Sequence, residues 1–387
     1  MNYKNNMTLC TFAKTWVTVD INARSVGACC RTPHTAVENQ IDINNKWFST
    51  LRNNLHQGIR DERCNSCWQQ ERTVGTSLRL NGPYTIETDQ TDPQTADLQY
   101  LEIRLGNQCD GACVYCGGMF SAKQAKFWKL HRDINKPVTK DPLTDQVKQL
   151  IKDNAHSIRE IVFLGGEPTL MESWYTFLDF IVEQEFANPV TVGVTSNCNW
   201  TDKIKQRLFA SVDNFLDRGG NFDIRISGEG DKNYFNSIRK FSDYDTVLQN
   251  ITDLTAHYGD KIKYTLQPVM NGLSVYSLDN WLDVFSTIFK SANIHRVNLN
   301  FAMLTRPEEF LTIHQGTRAL PSLHRLVNYL RDTDLFYPKQ RMIDVVESQI
   351  ALMTQQPNDK ADSDLEQLLS AHDRILPHKW SSTDALP

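Results

Sequence analysis

Six short apolar or alternating runs punctuate the middle of the chain: Leu98–Leu105, Glu160–Leu164, Val190–Ser196, Phe222–Ser227, Lys261–Pro268 and Arg296–Ala302. The first of them, Leu98-Gln-Tyr-Leu-Glu-Ile-Arg104, alternates as a half-buried strand does. Longer stretches with apolar residues at helical spacing separate the runs, over Leu143–Ile158, Ser173–Phe186, Lys203–Asp217, Tyr234–Tyr258 and Leu278–Ser291. Strands that alternate with helices predict a parallel sheet with helices outside it. Six units are too few for a closed eight-fold barrel, so an open sheet is expected. In folds of this kind functional groups collect at the carboxyl ends of the strands.

The pattern changes on either side. Upstream, Trp16-Val-Thr-Val-Asp-Ile21 alternates as a strand and Asn22–Gly27 reads as a turn into a return strand, so a hairpin brings Cys10 and Cys29 together. Trp47, Leu51 and Leu55 then recur at helical spacing, Gly58 stops that helix, and Cys64 and Cys67 follow on a polar turn. Thr85–Ala96 is polar, contains Pro93 and reads as a linker. Downstream, helical patterns recur over Leu320–Arg331, Gln340–Met353 and Ser363–His372, and are expected to pack on the sheet and cover its open side. His378 and Trp380 sit in the polar end of the chain. Three regions follow: 1–96, 97–305 and 306–387.

Size and composition narrow the class. The 387 residues are 40% hydrophobic and 22% charged, enough for one large core with appendages. No apolar run approaches the roughly 20 residues that span a bilayer. The first residues lack the apolar core of a secretion signal, so a cytoplasmic protein is expected. A net charge of −5 gives no general basic footprint for nucleic acid. Nine cysteines in such a chain argue for metal or redox chemistry before disulfides.

The cysteines are grouped. Cys109, Cys113 and Cys116 lie in one glycine-rich loop directly after the first central strand. Three thiolates on a short loop can hold three irons of a four-iron cluster and leave the fourth iron open. The competing reading is a structural zinc knuckle, which ordinarily takes a fourth Cys or His at close spacing. Upstream, Cys10, Cys29, Cys64 and Cys67 make a four-thiolate set that suits either zinc or an iron–sulfur cluster. Neighbouring residues on a strand point to opposite faces, so one of Cys29 and Cys30 points away, and Cys29 is taken as the ligand.

The Cys-x3-Cys-x2-Cys spacing, with Tyr115 before the last cysteine, resembles the signature of the radical S-adenosylmethionine (radical SAM) superfamily. The resemblance implies a partial (β/α)6 TIM-type barrel. It also implies a catalytic 4Fe-4S cluster on Cys109, Cys113 and Cys116 whose open iron binds S-adenosylmethionine, and an electron donor such as flavodoxin or ferredoxin. Gly165-Gly166-Glu167-Pro168 after the second strand is similar to the family's Gly-Gly-Glu-Pro motif, which holds the amino group of the methionine. Ser196-Asn197-Cys198 departs from the Thr-Asn-Gly that the family often carries, and Ser227-Gly-Glu229-Gly resembles its Ser-x-Asp-Gly edge with Glu in place of Asp. By this likeness Ser196, Asn197, Ser227 and Arg239 are expected to contact the cofactor, Arg239 from a helix, while Cys198 is left as a core thiol. Upstream, Cys64-x2-Cys67-Trp68-x2-Glu71 and Gly75-x-Ser77-x-Arg79 resemble the SPASM and twitch auxiliary-cluster modules, which commonly follow the barrel where here they would precede it. That likeness implies a second 4Fe-4S cluster on Cys10, Cys29, Cys64 and Cys67.

Relatives of that kind modify peptides or proteins, and some act on sugars or other small metabolites, so oxidative modification of a peptide or protein side chain is the expected reaction. The alternatives are a small-molecule substrate and, in a different class, a zinc-stabilised binding protein without turnover.

Overall fold

The computed structural model describes residues 8–74, 77–80, 95–132, 143–304, 318–355 and 361–377. Most of the expected linker, Gly75 of the Gly-x-Ser-x-Arg run, and His378 and Trp380 lie outside the described residues.

Among the described residues, fourteen strands form one large sheet and two small ones. They are β1 (Trp16–Asp20), β2 (Ser25–Gly27), β3 (Thr35–Ala36), β4 (Tyr100–Arg104), β5 (Ala112–Cys113), β6 (Glu160–Leu164) and β7 (Thr191–Ser196). Then follow β8 (Asn221–Ile226), β9 (Arg239–Lys240), β10 (Lys263–Leu266), β11 (Val269–Met270), β12 (Val297–Leu299), β13 (Ala302–Met303) and β14 (Phe336–Tyr337). The large sheet runs β14-β12-β10-β8-β7-β6-β4-β1-β2-β3 and is open. All six expected central strands lie in it, side by side and parallel.

Two further parallel strands flank them. On one side β1 pairs with β4, Trp16 opposite Tyr100 through Asp20 opposite Arg104. On the other, β14 pairs with β12. The upstream hairpin is therefore no separate sheet: β1 extends the central one, and β2 and β3 continue it antiparallel.

Alternation decides which face is dry. Leu101, Ile103, Ile161, Phe163, Val192, Val194, Ile224 and Ile226 point into one contiguous core. Helices cover that face with apolar stripes at i, i+3, i+4 and i+7, as Trp174, Phe177, Leu178 and Ile181 do on helix Glu172–Val182. The opposite face carries Tyr100, Glu102 and Arg104 on β4, Asp223 and Arg225 on β8, and Thr265 on β10. That a single cavity touches strands from β4 to β12 means the sheet curls around this polar face.

One predicted helix is broken. Tyr234–Tyr258 is two helices, Lys232–Ile238 and Tyr244–Tyr258, separated by the two-residue strand β9. Asp231 and Asp243 each cap a helix start by accepting backbone N–H bonds, and Phe241 takes a left-handed φ of 68° between them. So Arg239 leaves the helix and pairs across a strand with Cys113. Cys64 and Cys67 likewise lie on helical turns, Glu62–Cys64 and Asn65–Val74, in place of the expected polar turn; Asp61 caps the first through Arg63 N–H.

The last described helix, Ala361–Ile375, packs on the cysteine loop. Leu365, Leu368 and Leu369 form a small separate core with Ala112, Val114 and Tyr115 of the cysteine loop and with Phe127 and Trp128 behind it.

Candidate active site

The three-cysteine loop leaves β4 at its carboxyl end and is held from the ends of β6 and β7. The first grip is backbone. Gly166 N–H donates to Gly106 O (2.9 Å) and Glu167 N–H to Gln108 O (2.8 Å). A Cβ on Gly166 would stand 2.1 Å from Gln108 O, and one on Gly165, whose φ is +100°, 2.7 Å from Gly106 O. The paired glycines are thus required by the close approach of the cysteine loop itself.

The second grip is a carboxylate. Glu167 is 1% exposed and accepts from Thr169 N–H and Oγ1, from Ser196 Oγ (2.8 Å) and from Asn197 N–H (2.7 Å). It joins the end of β6 to the end of β7. Burial, followed by repulsion from Asp110, pushes its pKa up to about 7 against the pull of these donors.

The third grip was not expected from the sequence. Asp110, next to Cys109, accepts from Asn197 Nδ2 (2.7 Å) and Asn199 Nδ2 (2.9 Å), and so ties the loop to the end of β7. Between those asparagines Cys198 is fully buried at φ 56°, the left-handed conformation that glycine adopts without strain. That is the position where the resembling motif carries glycine. Ser227 follows β8, half-buried, with its N–H bonded to Ser196 O at 2.8 Å.

Behind the loop lies a buried charged triad. Tyr115 OH donates to Glu229 Oε1 (2.5 Å), and Arg239 Nη2 donates to Tyr115 OH (3.0 Å) and Glu229 Oε2 (2.9 Å). Glu229 and Arg239 are 0% and 4% exposed. The Arg239 fork is engaged by the protein, while its Nη1 reaches Cys113 Sγ at 3.9 Å and its Nε has no partner. Tyr115 and Arg239 therefore brace the loop and bring one positive charge beside its thiols.

The three thiols are half-buried and sense one another. Burial, then Cys113, Glu167 and Asp110, hold the Cys109 thiol far above its ordinary range. Burial and Cys113 do the same to Cys116 against the pull of Arg239, and burial dominates at Cys113. Thiolates in such surroundings need positive charge beside them. Among the described residues, no three His, Cys, Asp or Glu side chains converge on the spacing of a single ion. A cubane takes each thiolate on a different iron and so needs a wider set.

Cys10, Cys29, Cys64 and Cys67 gather at the other end of the sheet, near the start of β1 and β4. Burial and then its neighbours Cys29 and Cys67 push Cys10 up to about 12; Cys29, pushed up to about 11 mainly by burial, senses Cys67; Cys64 is raised by burial and by all three others. Cys30 instead faces Glu102 and Arg104 as well as Cys29. Residues of the Cys64–Arg79 run hold this group in place. Arg79 pairs with Glu71 (2.7 Å), donates to Leu9 O (2.8 Å) beside Cys10 and lies 4.5 Å over the ring of Trp68. Ser77 Oγ also donates to Glu71.

Fold and site together define an open α/β protein with a three-cysteine loop at the carboxyl ends of its parallel strands and a four-cysteine group near their amino ends. No family model matches the chain, and no curated protein matches it. Among solved structures it is similar to Streptococcus suis SuiB bound to S-adenosylmethionine, at 15% identity and a TM-score of 0.42, over 75% of this chain and 59% of that one. SuiB bound to precursor peptide SuiA is similar at 14% identity and 0.42, over 79% and 66%. TYW1 with a lysine-pyruvate adduct bound is similar at 14% and 0.34, over 61% and 72%. The chain thus spans about 59% to 66% of the SuiB chains it matches.

Proposed function

We propose that this chain is a radical SAM enzyme with one auxiliary iron–sulfur cluster, acting on a peptide or protein side chain. The carrying observation is the loop of Cys109, Cys113 and Cys116, held at the carboxyl ends of β4, β6 and β7 by Gly165, Gly166, Glu167, Asp110 and Asn197. A cluster held there would supply the electron for reductive cleavage of a bound S-adenosylmethionine.

The protein's own part is orientation. Cys109, Cys113 and Cys116 hold the cluster. Glu167, Ser196, Asn197 and Ser227 line the strand ends where the methionine and ribose would sit, with Tyr115 and Arg239 bracing the loop from behind. Cys10, Cys29, Cys64 and Cys67 hold the second cluster, which favours oxidation or bond formation. Residues 1–96 supply that module and the strands that extend the sheet at one edge, 97–305 its six central strands, and 306–387 an edge strand and helices packed on it. The setting is cytoplasmic, with flavodoxin or ferredoxin as electron donor; no described helix is long and apolar enough to cross a membrane.

Anaerobic reconstitution tests this. Two cubanes give about eight irons per chain, and dithionite reduction releases 5′-deoxyadenosine. Zinc in place of iron, with no cleavage of S-adenosylmethionine, would leave the zinc-stabilised binding protein as the better reading.

A further inference from the structure

The three thiols of the loop do not share one electrostatic setting. Cys109 has the carboxylates of Glu167 and Asp110 for neighbours, whereas Cys113 has a guanidinium, with Arg239 Nη1 3.9 Å from its Sγ. The backbone fixes that approach. β9 pairs antiparallel with β5, Arg239 opposite Cys113 and Lys240 opposite Ala112, and Val114 N–H donates to Ile238 O (2.9 Å). Residues directly opposite in such a pair present their side chains to the same face. Lys240, fully buried and paired with Asp373, pins the other residue of the strand.

A plain structural ion pair leaves part of this side chain unexplained. Glu229 Oε2 and Tyr115 OH engage only Nη2. Nη1 faces sulfur, and the buried Nε–H has no partner among the described residues. A buried donor left unpaired is costly. Glu229 also accepts from Val269 N–H (3.4 Å), so its carboxylate is held by more than the arginine.

We infer that Arg239 sets the reduction potential of the cluster on the three-cysteine loop by holding a positive charge beside Cys113, with Glu229 offsetting part of that charge. One electron added to a thiolate-bound cluster makes it more negative by one charge. A cation in a dry site beside a ligand sulfur favours that reduced state, and an N–H donated to the sulfur acts in the same direction. This rests on the radical SAM reading, which puts the cluster on that loop. In this role Arg239 acts through Cys113.

The test is a dithionite redox titration of the reconstituted full chain, without S-adenosylmethionine. It follows the paramagnetic resonance signal of the reduced cluster that is identified by its change when S-adenosylmethionine is added. Arg239→Met lowers the midpoint: the ratio of reduced to oxidised cluster at a fixed potential falls at least ten-fold, about 59 mV for one electron. Arg239→Lys keeps the charge and stays closer to wild type. Glu229→Gln raises the midpoint, because the offsetting anion is gone. That variant separates tuning from bracing. It breaks the same ion pair as Arg239→Met and loses stability likewise, yet its potential moves the opposite way. If Arg239→Met does not fold or hold iron, Glu229→Gln and Arg239→Lys decide the case. Midpoints that fall in both Arg239→Met and Glu229→Gln, or move in neither, overturn the inference. A chain that assembles no cluster responsive to S-adenosylmethionine removes the radical SAM reading; a responsive cluster with an unshifted midpoint removes this inference alone.

Discussion

Glu167 can only accept hydrogen bonds when ionised, and four donors converge on it from Thr169, Ser196 and Asn197. Glu167→Gln turns one acceptor into an NH2 that must face a donor in a dry site. Stability is expected to fall by about 2 kcal/mol, read as a shift of the denaturant midpoint at unchanged slope. Arg239 and Glu229 are a starker case, because both are buried. Arg239→Met leaves the Glu229 charge uncompensated and costs about 3–5 kcal/mol, whereas Arg239→Met with Glu229→Gln recovers most of that loss. If the double variant is no more stable than the single, the pair does not brace the loop as described. At this scale the cysteines and the Gly-Gly-Glu run were legible because their spacing is local. Asp110 and Asn199 were not, since their partnership spans most of two strand–helix units and no local pattern marks it.

The helix Ala361–Ile375 illustrates how an element can matter through what it covers. His372 Nε2 lies 3.0 Å from Gln124 Oε1, and Gln124 Nε2 donates to Val114 O in the cysteine loop (3.3 Å). Lys240 of β9 is fully buried and paired with Asp373 of the same helix (2.6 Å). Burial, and then Lys240, depress the His372 pKa to about 3, with His131 adding to the effect and Asp373 opposing it. The folded state therefore refuses a proton that the unfolded chain takes up below about pH 6.5. The His372 contribution to stability is flat above that pH and falls as pH drops from about 6.5 toward 3, by an amount on the order of a few kcal/mol. His372→Leu should flatten this acid limb relative to wild type; parallel pH–stability curves would refute the assignment. Element types were largely readable from periodicity: Leu278–Ser291 and Glu160–Leu164 fall where expected. The Tyr234–Tyr258 break was hidden because its cause, pairing of Arg239 with Cys113, is a contact across 126 residues.

At the scale of the whole molecule, the parallel α/β plan followed from the strand–helix alternation, but the neighbours of β4 did not. Register between β1 and β4 is set by pairing across about eighty residues of chain, and the apolar–polar alternation of both strands is compatible with several partners. That pairing has a functional consequence. It puts Phe12, Trp16 and Cys29 against Tyr100 at the start of β4, while the three-cysteine loop leaves the same strand at its end. The two cysteine groups therefore lie toward opposite ends of β4. On the function proposed above, the three-cysteine loop starts the chemistry and the upstream group takes up the electron. The two roles should then come apart under mutation. On the radical SAM reading, Cys113→Ala is expected to abolish 5′-deoxyadenosine formation outright, since the three-cysteine loop loses a ligand. Cys64→Ala should lower the iron content from about eight to about four per chain, retain part of the cleavage of S-adenosylmethionine and lose net product. Full product yield from Cys64→Ala would show that the upstream thiols hold the fold rather than carry electrons, and equal loss of cleavage in both variants would show that the two groups do not act separately.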